Sequence, residues 1–236
     1  MPSWLAPNVD PLDALYRHFN VMKVNYIQGP LEERFEMVLT TLDGNLYPTH
    51  CLAVTQTNAP PNSPILILPV DSGLYAKGFS RDFVWPSEDD PPENPFEAEA
   101  TDDMPVTIPQ ISEGPVKISL SVVSIVVPHP PSLPLLLLLG LGLETDVERL
   151  PYRLLPTAVV AEFPAPSGMA EVFAQFPEQQ FERYYMSIGG LRGNMLSTGL
   201  KDRRIKDIVD TAWQVATSAR RLRQHPHTAD AAQRRR

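Results

Sequence analysis

Between Pro11 and Phe19 the apolar residues Leu12, Leu15, Tyr16 and Phe19 fall on one helical face, and Asp10 stands immediately before them. Asp followed by Pro predicts an N-cap with proline at the first helical position, and Asp13 sets an acid against the positive end of the helix dipole. The period then becomes that of strands. Phe35 to Leu42, Leu46 to Thr55 and Ile65 to Val70 are short and rich in Val, Ile and Thr. They are separated by Asp43-Gly44-Asn45 and by the Asn58 to Ser63 stretch, both turn chemistry. Asp-Gly and Gly-Asn pairs supply positive φ at little steric cost, so the first two strands are expected to form a hairpin. From Val116 to Val127, Val116, Ile118, Leu120 and Val122 alternate with Lys117, Ser119 and Ser121. Ile125 to Val127 is then apolar on both faces, which predicts a central strand.

Prolines 128, 130, 131 and 134 end that strand, and the pattern turns helical. Ser132 is placed to cap a leucine helix with Pro134 in its first turn. The run Leu133 to Leu143 is short of the ~20 residues a bilayer requires, so it reads as a buried core helix. Two apolar-rich runs follow, Met169 to Phe176 and Glu178 to Leu196, with Pro177 as a helix start. A last helix spans about Asp202 to Gln224, with Gly199 before it and His225-Pro226 after it as stops. Its apolar stripe is Ile205, Ile208, Val209, Ala212, Trp213, Ala216, Ala219 and Leu222, opposite Arg203, Lys206, Gln214 and Arg221. Ile205, Ile208, Val209, Ala212, Trp213 and Ala216 are the candidate docking residues for a protein partner. The expected fold class is α+β. Residues 1–127 form a small, mostly antiparallel N-terminal sheet region, 128–224 a helical C-terminal module, and 225–236 a basic disordered tail.

Charge changes this picture more than overall composition does. Residues 1–182 hold 24 Asp+Glu against 8 Lys+Arg, whereas residues 183–236 hold 4 against 12. An acidic body with a basic tail points to partners rather than to a reaction. Between Arg81 and Lys117 there is no basic residue, and residues 86–113 combine prolines with nine acidic side chains. Like charges repel and proline removes backbone donors, so 86–113 is expected to be a disordered acidic loop, a candidate recruitment or turnover element. The 26 prolines of the 236-residue chain are about double average usage and cut it into short elements. The N-terminus has no basic region leading into an apolar run, so no export signal is expected. The single cysteine, Cys51, lies in the apolar stretch to Val54 and reads as a buried small hydrophobe in a reducing compartment.

Three motifs carry chemical possibilities. Arg220-Arg221, twelve intervening residues, then Arg234-Arg235-Arg236 resembles a bipartite nuclear import signal, whose spaced basic clusters fit acidic grooves on a carrier. The same arginines also suit phosphate contact or a solvated helix end. The acidic body and the lack of interleaved aromatics in the tail weigh against nucleic acid. The strand Ile65 to Val70 followed by Asp71-Ser72-Gly73 resembles the active-site loop of aspartic proteases, where two carboxylates share a proton. Leu74 and Tyr75 depart from that loop, and with no second such triplet, activity requires a homodimer. A strand-ending turn is the competing reading. His18, His50, His129, His225 and His227 lack metal-ligand spacing, so neither a metal nor a cofactor is expected. Gly189-Gly190 and Gly193 lie in a helical pattern without a phosphate-loop lysine and read as close-packing positions.

The C-terminal half also carries a resemblance. Pro131-Ser-Leu-Pro-Leu-Leu-Leu-Leu-Leu-Gly-Leu-Gly-Leu-Glu-Thr-Asp146, Leu150-Pro-Tyr-Arg-Leu-Leu-Pro156, Phe181-Glu-Arg-Tyr-Tyr185, Lys201 to Trp213 and Ala219-Arg-Arg-Leu-Arg223 are similar in character to the clampless-type proteins of mushroom-forming fungi. The resemblance covers about residues 116–224 and includes no short diagnostic motif. It implies a role downstream of mating-type transcription factors in clamp-cell and dikaryon development, and supplies no catalytic residues. The expectation is therefore a non-enzymatic, nuclear or nucleocytoplasmic regulator that binds protein partners, including transcription factors and an import receptor, and no membrane. The alternative is an enzyme or small-ligand-binding protein with a pocket between the sheet and the leucine helix, near Asp71 or His129.

Overall fold

Asp10 caps the first helix as its position predicts. In the computed structural model, which describes residues 9–24, 26–29, 32–41, 46–60, 62–85 and 115–224, α1 (Pro11–His18) begins with the Leu12 amide donating to Asp10 Oδ1 at 3.1 Å. Ala14, Leu15 and Tyr16 are buried along its inner face, and the Tyr16 hydroxyl donates to the Ile67 carbonyl at 2.5 Å, tying the helix to the sheet. The acidic segment 86–113, the turn at Asp43-Gly44-Asn45 and the tail 225–236 lie outside the described residues.

Four strands follow: β1 (Arg34–Val38), β2 (His50–Gln56), β3 (Leu66–Val70) and β4 (Lys117–Val127). Their spatial order is β1-β4-β2-β3, so the expected β1–β2 hairpin does not form. Strand β4 separates the two, antiparallel to β1 and parallel to β2, while β2 and β3 form the antiparallel pair. The reason is burial. Every residue of β3 and the first five of β2 are buried, and the β4 end beside β2 supplies Val123, Ile125 and Val127, which are buried with it. Strand β4 is central as expected, but in two halves: 117–121 pairs with β1, 121–127 with β2, and only Ser121 belongs to both. Ser124 is exposed and Val126 is 50% exposed, so one face of that end of the strand is open to solvent and the strand is not covered on both faces. The segment after α1 touches both edges, Val21 bridging Leu39 and Ile27 bridging Ile65, which curls the sheet toward closure.

After β3 comes α2 (Ser72–Gly78). Beyond β4 the chain is helical: a 3₁₀ turn (Pro130–Ser132), α3 (Leu133–Gly140), a second 3₁₀ turn (Val147–Arg149), α4 (Leu150–Leu154), α5 (Thr157–Val160), α6 (Pro166–Ala174), α7 (Glu178–Thr198) and α8 (Arg203–Gln224). All the leucines of α3 are buried, so the greasiest segment of the sequence is core. Among the described residues no helix is long and apolar enough to cross a membrane. Ser132 stands at the N-cap of α3 but makes no capping bond; its own backbone is helical, so its hydroxyl points elsewhere. Gly199 closes α7 in the left-handed region (φ 67°), its amide returning to the Met195 carbonyl. One hydrophobic core runs from α1 through the sheet and α3 into α7 and α8. The fold is α+β.

Candidate functional site

The prolines that shorten the helices also build an apolar groove on the surface. Pro151 starts α4, Pro156 caps α5 and Pro166 starts α6, so the chain makes three short helices against the long α8 instead of one straight helix. The turn between α5 and α6 leaves Phe163 68% exposed, and Tyr152 on α4 is 53% exposed. Together with Leu155, Val160, Met169 and Ile208 they line a groove of about 650 Å³ whose edges carry Glu148 and Asp207. The Thr211 hydroxyl, also on the wall, donates back to the Asp207 carbonyl at 2.7 Å. Asp207 lies 3.9 Å from Arg203 across open solvent, an ion pair of little strength.

The stripe of α8 is mostly occupied by the chain itself. Ile205, Val209, Ala212 and Ala216 are buried in the common core, with Ala212 also lining the groove; Val215, outside the expected stripe, is buried with them. Ile208 and Trp213 are only partly buried. Of these two, Ile208 reaches the groove, whereas Trp213 packs on Tyr185 at 5.0 Å between ring centres and on the backbone at Gly189, where an added Cβ would stand 2.9 Å from the indole. The glycines of α7 are close-packing positions: a Cβ at Gly190 would stand 2.4 Å from the His129 ring, and one at Gly193 3.1 Å from Pro128.

The basic cluster at the end of α8 divides in two. Arg221 is exposed. Arg220 stacks on Tyr185, its guanidinium carbon 4.3 Å from the ring centre, and lies 3.6 Å from Glu182. Arg223, which plays no part in the import pattern, donates to the Ala174 carbonyl at 2.6 Å and the Phe176 carbonyl at 2.7 Å, binds Glu178 and covers the Phe181 ring. It thereby satisfies carbonyls at the end of α6 that the helix itself cannot. A second cavity, about 590 Å³, surrounds these arginines. Arg234, Arg235 and Arg236 lie outside the described residues, as do His225 and His227.

Asp71 is a helix cap. Its Oδ1 accepts the Leu74 amide at 2.7 Å, and the Ser72 amide donates to Thr49 Oγ1 at 2.9 Å, so the Asp-Ser-Gly triplet turns β3 into α2. His129 packs its ring on Gly190, while its backbone amide donates to Asn194 Oδ1 at 3.0 Å. Asn194 Nδ2 donates in turn to the His129 carbonyl at 2.7 Å and to the Ser132 hydroxyl at 3.0 Å. A smaller cavity, about 380 Å³, lies between the end of β2 at Gln56 and the Pro130–Pro131 turn, and neither Asp71 nor His129 lines it or the two larger ones. Burial pushes the Cys51 thiol up to about 12, which leaves it unreactive at neutral pH. Among the described residues no group of three or more His, Cys, Asp or Glu side chains is placed to hold a metal ion.

Sequence reasoning missed Tyr152, Phe163 and Asn194. Phe163 had a signal: an aromatic residue beside Pro164 and Pro166, off any helical stripe, belongs to a turn and has no core to enter. Asn194 had one too, as an amide on the apolar stripe of α7 between Leu191 and Thr198. No family model, curated protein or solved structure matches this chain.

Proposed function

We propose that this chain is a regulatory protein that acts by binding other proteins, with the groove between α4, α5 and α8 as its contact surface. The observation that carries this reading is the pair of largely exposed aromatics, Tyr152 and Phe163, set around an apolar floor. Large aromatic side chains at the margin of an apolar depression are the residues that dominate binding energy at protein interfaces. The resemblance to clampless-type proteins supports a developmental setting, with transcription factors among the partners, and exposed Arg221 supports a nuclear destination.

The test is proximity labelling in cells from the full-length protein and from a Tyr152→Ser/Phe163→Ser variant. Both side chains are mostly in solvent, so the fold is expected to survive. A defined set of labelled neighbours that drops at least about fivefold in the variant supports the reading, since losing two aromatic contacts at an interface weakens binding by more than 1 kcal/mol. The same neighbours in the same amounts from both proteins overturn it.

A further inference from the structure

We infer that the groove receives an amphipathic helix from a protein partner, with apolar anchors between Tyr152 and Phe163 and Lys or Arg side chains against Glu148 and Asp207. This rests on the interaction reading above and adds the chemistry of the partner.

Charge sets the sign of the occupant. Both charged side chains that line the groove are carboxylates, Glu148 from the 3₁₀ turn before α4 and Asp207 from α8. The neighbouring cations stand outside the lining: Arg149 is paired with Asp146 at 2.8 Å, Arg203 with Asp207 at 3.9 Å, and exposed Arg204 precedes Asp207 by three residues on α8. An acidic occupant would meet two carboxylates beside an apolar surface, whereas a basic one meets complementary charge at both edges.

Shape sets the conformation. The walls are helical, formed by α4, the exit of α5 and the face of α8 around Ile208 and Thr211; no strand edge lines the groove, so an added β-strand has no backbone partners there. A helix needs no such partners, because its backbone bonds are internal, and it presents apolar residues at i, i+3, i+4 and i+7 with cations on its flanks. A volume of about 650 Å³ admits several such side chains.

Fluorescence anisotropy with the purified full chain tests this. The probe is a fluorescein-labelled peptide of about 15 residues, long enough to hold a helix, built from Leu at helical spacing and Lys elsewhere. A Leu/Glu peptide of the same pattern is the control. At about 150 mM salt, where distant charges are screened, the Leu/Lys peptide is expected to bind saturably and the Leu/Glu peptide not to bind. Phe163→Ser is expected to weaken binding about tenfold, as loss of an aromatic anchor does. Glu148→Gln/Asp207→Asn, isosteric and on the surface, is expected to weaken it and to flatten its salt dependence. Equal affinity for wild type and both variants means that the peptide is held by the acidic body at large and overturns the inference, as does equal binding of the Leu/Glu peptide. A wild-type dimer in light scattering that Phe163→Ser turns into a monomer also overturns it, since a second copy then covers the groove. If the peptide result fails while the labelled neighbours still depend on Tyr152 and Phe163, the interaction reading stands and only the basic helix falls.

Discussion

Asn194 has no access to water, and both ends of its amide are committed to the turn that joins the sheet to the helices. The His129 imidazole beside it lacks such support: its Nδ1 is buried without a hydrogen-bond partner, and its pKa is lowered by burial. His18 shifts the same way, again through burial, with Glu144 opposing. A depressed folded-state pKa fixes the sign of the pH dependence. Above about 6.5, the ordinary imidazole value, both states are neutral and folding carries no penalty. Below it the unfolded chain takes up protons that the folded chain resists, so stability falls as pH drops through the lowered folded values. Urea unfolding between pH 7.5 and 5, chosen to span about 6.5, is therefore expected to show a falling midpoint for the wild type. His129→Gln, which leaves the backbone bonds to Asn194 in place, is expected to show a shallower fall. Equal slopes for the two proteins would remove His129 from this account. The sequence showed these histidines only as residues without ligand spacing; the burial of His129 depends on α7 lying against Pro128 and His129, which the glycines at 190 and 193 permit.

Elements whose signals are local were readable from the sequence. The Asp10-Pro11 start of α1, the buried leucines of α3, the Pro177 start and Gly199 stop around α7, and the extent of α8 each rest on a few adjacent residues. Strand pairing was not readable, because β4 reaches β1 and β2 from about 70 to 90 residues away and alternation names no neighbour. The start of β2 also shifted: it begins at His50 rather than Leu46, beyond Pro48, which has no amide to give a ladder. The groove was missed for a related reason, since three proline-started segments become a surface only when α8 lies beneath them. The Asp71 triplet is the element-level case in which two chemistries share one signal. As an N-cap, Asp71 accepts a backbone amide, and Asn does so about as well as Asp, whereas Ala removes the acceptor. Asp71→Ala is expected to cost about 1 kcal/mol in urea unfolding, and Asp71→Asn only a few tenths. A large loss with Asn would show that the carboxylate charge matters there beyond capping.

At the scale of the whole molecule the basic C-terminal end meets an acidic body, and α8 keeps some of its arginines for itself. Arg220 on Tyr185 and Glu182, and Arg223 on the carbonyls of Ala174 and Phe176, hold α8 against α6 and α7. Removing Arg220 therefore disturbs helix packing as well as any import function, and a loss of nuclear signal from its substitution would have two explanations. Arg221 has no such role, being exposed near the end of the helix. The informative variant is Arg221→Ala with Arg234, Arg235 and Arg236 also changed to Ala, compared with Arg220→Ala alone, each as a fluorescent fusion. If the tail directs import, the first variant loses nuclear accumulation with its melting temperature unchanged. Arg220→Ala melts lower whatever it does to the nuclear signal, because it removes the cation from the Tyr185 ring. A cytoplasmic wild-type fusion, or nuclear signal that survives the loss of all four arginines, would instead assign the positive charge of the C-terminal end to holding the helices together.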